Sequence, residues 1–157
     1  PAEVGYWFAG PSIGYALGNF ISARYSTRIG MNRMILAGAL ICSASLMSAL
    51  LVDLAGGLTP LVFFGSVGFM GLGNGMLLPN ANAGMMSVRP ELAGTASGLG
   101  GAMAVAGGAG LAALAGALLH DDTGAVPLLT IMAGSALASI LFIIWVMIRE
   151  RQVLRGR

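Results

Sequence analysis

Residues 34–52, MILAGALICSASLMSALLV, run for 19 positions without a charge, between Arg33 on one side and Asp53 on the other. As an α-helix this run is about 28 Å long, close to the thickness of a bilayer's hydrocarbon core, where a segment must bond all of its own backbone polar groups. One flank is cationic and the other anionic, and the asymmetry continues outward in both directions. Arg24, Arg28 and Arg33 form a basic cluster, Arg89 stands alone, and Arg149, Arg151, Arg155 and Arg157 close the chain. The breaks between them, around Glu3, Asp53 and His120 to Asp122, carry no Lys or Arg. Basic and non-basic connections therefore alternate, which is the positive-inside pattern of a polytopic membrane protein.

Four more apolar runs reach the roughly 17–25 residues that a crossing requires. Spans are predicted at about 4–22, 34–54, 59–78, 93–119 and 126–148, giving an all-α integral membrane fold with five transmembrane helices and no soluble domain. Starting outside, five crossings end inside, so the arginine-rich C-terminus is expected in the cytoplasm, with a bacterial inner membrane as the host. Tyr6, Trp7, Tyr25 and Trp145 fall near span ends, where amphipathic rings sit at the headgroup level. Short connections predict that successive helices are antiparallel neighbours. Gly56-Gly57 before Thr59-Pro60, and Asp121-Asp122-Thr123-Gly124 before Pro127, supply turn chemistry at the outer breaks. Pro90 and Glu91 suit the first turn of the fourth span.

At 57% hydrophobic and 9% charged residues, with a mean hydropathy of +0.86, the composition excludes a soluble domain. No lysine occurs, and the net charge of +2 resides in arginines that set topology, so no nucleic-acid partner is implied. Cys42 is the single cysteine and lies mid-span, which leaves no disulfide, no metal cluster and no cofactor to expect. The ten methionines are scattered, as packing residues and not as a metal path. Pro1 is followed by no charged n-region, so the start reads as a truncation and not as a signal peptide.

The spans differ in texture. The second and fifth are bulky and apolar, as peripheral lipid-facing helices should be. The third and fourth are rich in small residues. Gly94, Gly98, Gly101 and Gly108 in the fourth mark a face for close helix packing, so these two spans are expected inside. Gly71, Gly73 and Gly75 before Pro79 predict a kink or unwound turn in the inner half of the third. Asn74 among those glycines is a candidate cavity-facing group, with a helix–helix hydrogen bond as the alternative; Tyr15, Asn19, Met76 and Pro79 join it as candidates for cavity or gate. Asn80 and Asn82 read as caps or turn residues near the inner surface.

Two stretches resemble a known family. The segment from Gly18 through Arg24, Arg28 and Gly30 to Arg33 is similar to the cytoplasmic loop signature of the major facilitator superfamily, Gly-x-x-x-(Asp)-Arg-x-Gly-Arg, in the copy between helices 8 and 9. It departs from the pattern before Arg24, where Ser22 and Ala23 stand in place of the acid, and this puts a charge-relay gate in doubt. Residues 71–84 together with 89–98 resemble helices 10 and 11 of drug:proton antiporters, in particular the bicyclomycin- and chloramphenicol-resistance branch. The resemblance runs through essentially the whole chain. It implies helices 8 to 12 of a twelve-helix transporter whose N-terminal helices lie outside this segment. It also implies alternating access, a small-molecule drug as substrate, and a proton gradient as the energy source.

No Asp, Glu, His, Lys or Arg occupies the middle of any predicted span, so the proton-coupling carboxylate is expected in the N-terminal portion; Asp53 is the nearest acid here. A polar substrate would demand buried Arg, Asp or Glu, which favours an amphiphilic drug over the alternative of a sugar or organic-acid importer. A non-transporting membrane subunit is a further alternative. An enzyme is disfavoured: Gly10-Pro11-Ser12-Ile13-Gly14 fits the nucleophile-elbow formula only inside an apolar span, and His120, the single histidine, sits at an outer helix end.

Overall fold

The structure, a computed structural model, describes residues 2–120 and 124–155, and the side chains of these except 2–4 and 154. Five long helices account for almost all of it: α1 (Ala2–Ile29), α2 (Met31–Leu54), α3 (Pro60–Val88), α4 (Ala93–Leu118) and α5 (Val126–Arg155). A single 3₁₀ turn, Pro90–Leu92, precedes α4, and no strand occurs among the described residues. Four stretches have the length and apolarity of membrane crossings: Met31–Leu54, Pro60–Val88, Pro90–Leu118 and Val126–Val153. α1 is as long as these but is interrupted by Pro11, Tyr15 and Asn19, and it is the least apolar of the five.

The turns follow from the residues in them. Gly30 alone separates α1 from α2; its φ of 96° lies in the left-handed region that a Cβ disfavours. Its N–H donates to the Ser26 carbonyl at 2.9 Å, and its own carbonyl accepts from the Met34 N–H at 3.1 Å, so the two helices share one residue as a hinge. α2 ends at Leu54, and just past it Gly56, also left-handed with φ 72°, donates its N–H to the Asp53 carbonyl. Thr59 then caps α3 through Oγ1, which accepts from the Val62 N–H at 3.3 Å, and Pro60 occupies the first helical position, where no donor is needed. The Asp121 to Thr123 part of the next turn lies outside the described residues.

α3 is the centre of the bundle. α1 lies along one of its sides and α2 along another, α5 packs on α2, and α4 touches α3 and α5 only lightly. The chain thus leaves Gly30 in two diverging directions with α3 between them, which corrects the expectation that α1 and α2 pair along their length. α2 was expected to face lipid, yet it carries seven buried residues, and its Cys42 and Leu46 meet Ala133 and Ala136 of α5 in the core. α4 was expected in the interior, yet Ala115 is its single buried residue.

Glycine placement explains the arrangement. Gly10, Gly14 and Gly18 recur every four residues on α1, and Gly71 and Gly75 do so on α3. A Cβ at Gly14 would strike the Gly68 carbonyl, one at Gly18 the Leu72 carbonyl, one at Gly71 the Pro11 carbonyl and one at Gly75 the Tyr15 carbonyl. On its other side α3 repeats the device: a Cβ at Gly73 would meet the Gly38 carbonyl and Cys42 Sγ, and one at Gly38 the Gly73 carbonyl. Bare backbones approach closely here, and in lipid such packing is what holds helices together. Gly94, Gly98, Gly101 and Gly108 meet nothing within 4 Å, so the close approach expected of them is not made to any described helix.

α3 also stays helical through Pro79, so the unwound turn that was one expectation there is not formed. Proline removes the donor that would serve the Gly75 carbonyl. One position on, the Asn80 side chain donates to the Met76 carbonyl at 2.7 Å, and packing against α1 and α2 holds the segment helical.

Candidate functional site

Polar side chains inside an apolar bundle must find partners, and three sets of them tie α3 to its neighbours. Ser45 Oγ on α2 donates to the Ser66 carbonyl at 2.7 Å. Further along, the Cys42 thiol lies 3.3 Å from the Met70 carbonyl and 3.6 Å from Asn74 Oδ1. Near the basic end, Asn80 Nδ2 donates to Ser22 Oγ on α1 and to the Met76 carbonyl, both at 2.7 Å, and both residues are only 4% exposed.

The candidate cavity residues separate along these lines. Asn74 faces α2, in the helix–helix role that was its alternative reading. Tyr15 and Asn19 lie on α1, on the other side of α3; Asn19 Nδ2 donates to the Tyr15 carbonyl at 2.9 Å, and the Tyr15 side chain is exposed. Met76 is buried in α3, and Pro79 is half-buried beside it. The structure therefore does not bring Asn74 together with Tyr15 and Asn19. It leaves Tyr15 and Asn19 as an open, uncharged wall. Asn80, expected as a cap, is instead a buried cross-link. Its partner Ser22 is 58 residues away, so no local spacing could have revealed the pair.

The loop motif is similarly divided. Gly18 belongs to the α1–α3 seam and not to the connection. Arg24 and Arg28 are exposed on the last turns of α1, Gly30 is the hinge, and Arg33 is exposed on the first turn of α2. None of the three arginines makes an ion pair among the described residues, where Arg89 and Glu91, at 4.0 Å and well exposed, form the one such pair. At this same end a cleft of about 1130 Å³ is lined by Asn32 and Arg33 from the start of α2, Val88 from the end of α3 and Arg149 from α5. Asn32 donates to the Glu150 carboxylate across it. The first and last basic clusters thus stand at one end of the bundle, beside the α3 terminus that leads to Arg89. At the opposite end, Trp7 and Phe8 pack on Phe64 with ring centroids 5.4 and 5.6 Å apart. Asp53 lies near that end with Oδ2 buried and without a hydrogen-bond partner among the described residues.

A family model described as Major Facilitator Superfamily matches residues 1–156. The chain belongs to the major facilitator superfamily. It is therefore a multi-pass membrane protein of a superfamily of transporters, not of enzymes. No curated protein and no solved structure matches it.

Proposed function

We propose that this chain forms helices 8 to 12 of a twelve-helix exporter of drugs or small amphiphilic compounds, of the bicyclomycin-resistance branch, driven by proton entry through alternating access. The observation that carries this reading is the distribution of charge: among the described residues, every charged side chain lies at or near a helix end, and Tyr15 and Asn19 offer an aromatic ring and an amide instead. Such a wall accommodates an apolar body with a weakly polar handle and penalises a sugar acid or dicarboxylate. The bare Gly94, Gly98, Gly101 and Gly108 face of α4 supplies a surface for the preceding helices, which would also hold the proton-coupling carboxylate. The protein resides in a bacterial inner membrane with its C-terminus in the cytoplasm.

The test uses the full-length protein in cells lacking their own dye exporters. Ethidium should leave energised cells and stop leaving when an uncoupler collapses the proton gradient. Efflux that ignores the uncoupler would remove the antiporter reading.

A further inference from the structure

We propose that the cleft between α2, α3 and α5 at the basic end of the bundle binds an anionic phospholipid, its phosphate on the arginines and an acyl chain in the apolar depth. The rim carries three guanidiniums, Arg33, Arg149 and Arg151, against one carboxylate, Glu150, which Asn32 already engages. Arg149 also donates to Gln152 Oε1 at 3.2 Å, while Arg33 and Arg151 make no ion pair among the described residues. The rim is therefore left with an excess of cation, and phosphate is the group that guanidinium forks fit best.

Below the rim the character changes. From Arg149 back to Phe142 the α5 helix descends about 10 Å, and its lining residues there are all apolar or aromatic, Val146, Ile143 and Phe142 among them. Leu77 and Ala81 close the facing side from α3. Trp145, 60% exposed, sits at the transition, as aromatic residues do at the headgroup level. A cationic mouth over an apolar shaft has the polarity profile of a lipid and not of a free ion: inorganic phosphate would satisfy the arginines and leave the depth empty. A volume of about 1130 Å³ accommodates a headgroup with the upper part of a chain. Basic pockets between membrane helices recognise lipid headgroups through this chemistry. The cleft is separate from the Tyr15 and Asn19 wall, since Ile29, its last residue, is all that α1 contributes to it. The proposal holds whatever the transported substrate is.

The full-length protein in bilayer discs of phosphatidylcholine with a minority of phosphatidylglycerol, released and weighed by native mass spectrometry, should retain phosphatidylglycerol preferentially. Replacing Arg149→Gln and Arg151→Gln together should lower that preference about 25-fold, at roughly fivefold per arginine. Val146→Trp, which fills the shaft and leaves every arginine in place, should also reduce retention and covers the case in which the double variant fails to fold. Millimolar inorganic phosphate should not displace the lipid. Equal retention of both lipids by the wild type, an unchanged preference in the arginine variant, full retention in Val146→Trp, or displacement by phosphate would each overturn the proposal.

Discussion

At Gly75 the α-hydrogen faces the Tyr15 carbonyl and the Gly18 α-carbon across the α1–α3 seam, so a methyl group there has no space to enter. Gly75→Ala should destabilise the folded bundle by about 1–3 kcal/mol, the usual cost of overpacking, because the obstacle is backbone that cannot rotate away. Gly65, on the same helix with nothing within 4 Å, is the control: Gly65→Ala should gain roughly 0.5–1 kcal/mol from helix propensity alone. Unfolding of the full-length protein in mixed micelles measures both, and equal effects at the two sites would refute the seam. The Ser22–Asn80 bond is subject to a separate measurement. A double-mutant cycle with Ser22→Ala and Asn80→Ala should give a coupling of about 0.6 kcal/mol, and up to about 1.7, as for hydrogen bonds between membrane helices. These residues mark where the sequence was and was not legible. The Gly10, Gly14, Gly18 repeat stood in plain view as a packing signal, but its first half resembled a false catalytic motif and its last residue a loop motif. Asn80 carried no such signal, because its meaning depends on a partner on another helix.

At the scale of elements, the existence and order of the five helices followed from charge-free length, since lipid permits few alternatives to a helix that bonds its own backbone. Their ends and their neighbours did not. α1, α3 and α5 run past the predicted spans to Ile29, Val88 and Arg155, because hydropathy measures the hydrocarbon slab and a helix is free to continue into water. Texture identified α3 as interior but misplaced α2, since bulk tells which helix is apolar and not which neighbour reaches it first; the small-residue face of α4 meets none of the other described helices. α3 holds the centre because its glycines lie on two faces, Gly71 and Gly75 toward α1 and Gly73 toward α2. The divergence of α1 and α2 around it depends on Gly30. Gly30→Val forces a β-branched residue into φ 96° and should cost at least about 1–2 kcal/mol, with Gly30→Asn costing less because asparagine tolerates the left-handed region. Melting temperatures of the three proteins in detergent should therefore fall in the order Gly, Asn, Val; a valine variant as stable as the wild type would show that the hinge is not strained.

At the scale of the whole molecule, the alternation of basic and non-basic connections and the geometry point the same way. Arg33 and Arg149 line one cleft at one end, next to the α3 terminus from which Arg89 follows, and the arginine-free turn around Gly56 and Gly57 lies a full helix away. The alternation was legible because charge is selected by the membrane potential and the insertion machinery, independently of how the helices later pack. It makes a prediction that no packing error can imitate. In a cysteine-free background of the full-length protein that includes Cys42→Ala, a single cysteine introduced by Arg28→Cys and another introduced by Gly57→Cys should react with a membrane-impermeant maleimide from opposite sides. In intact cells position 57 should label and position 28 should not, and permeabilisation should expose position 28. Both positions labelling from the same side would mean that α2 does not cross, and the five-helix membrane bundle would fall with it.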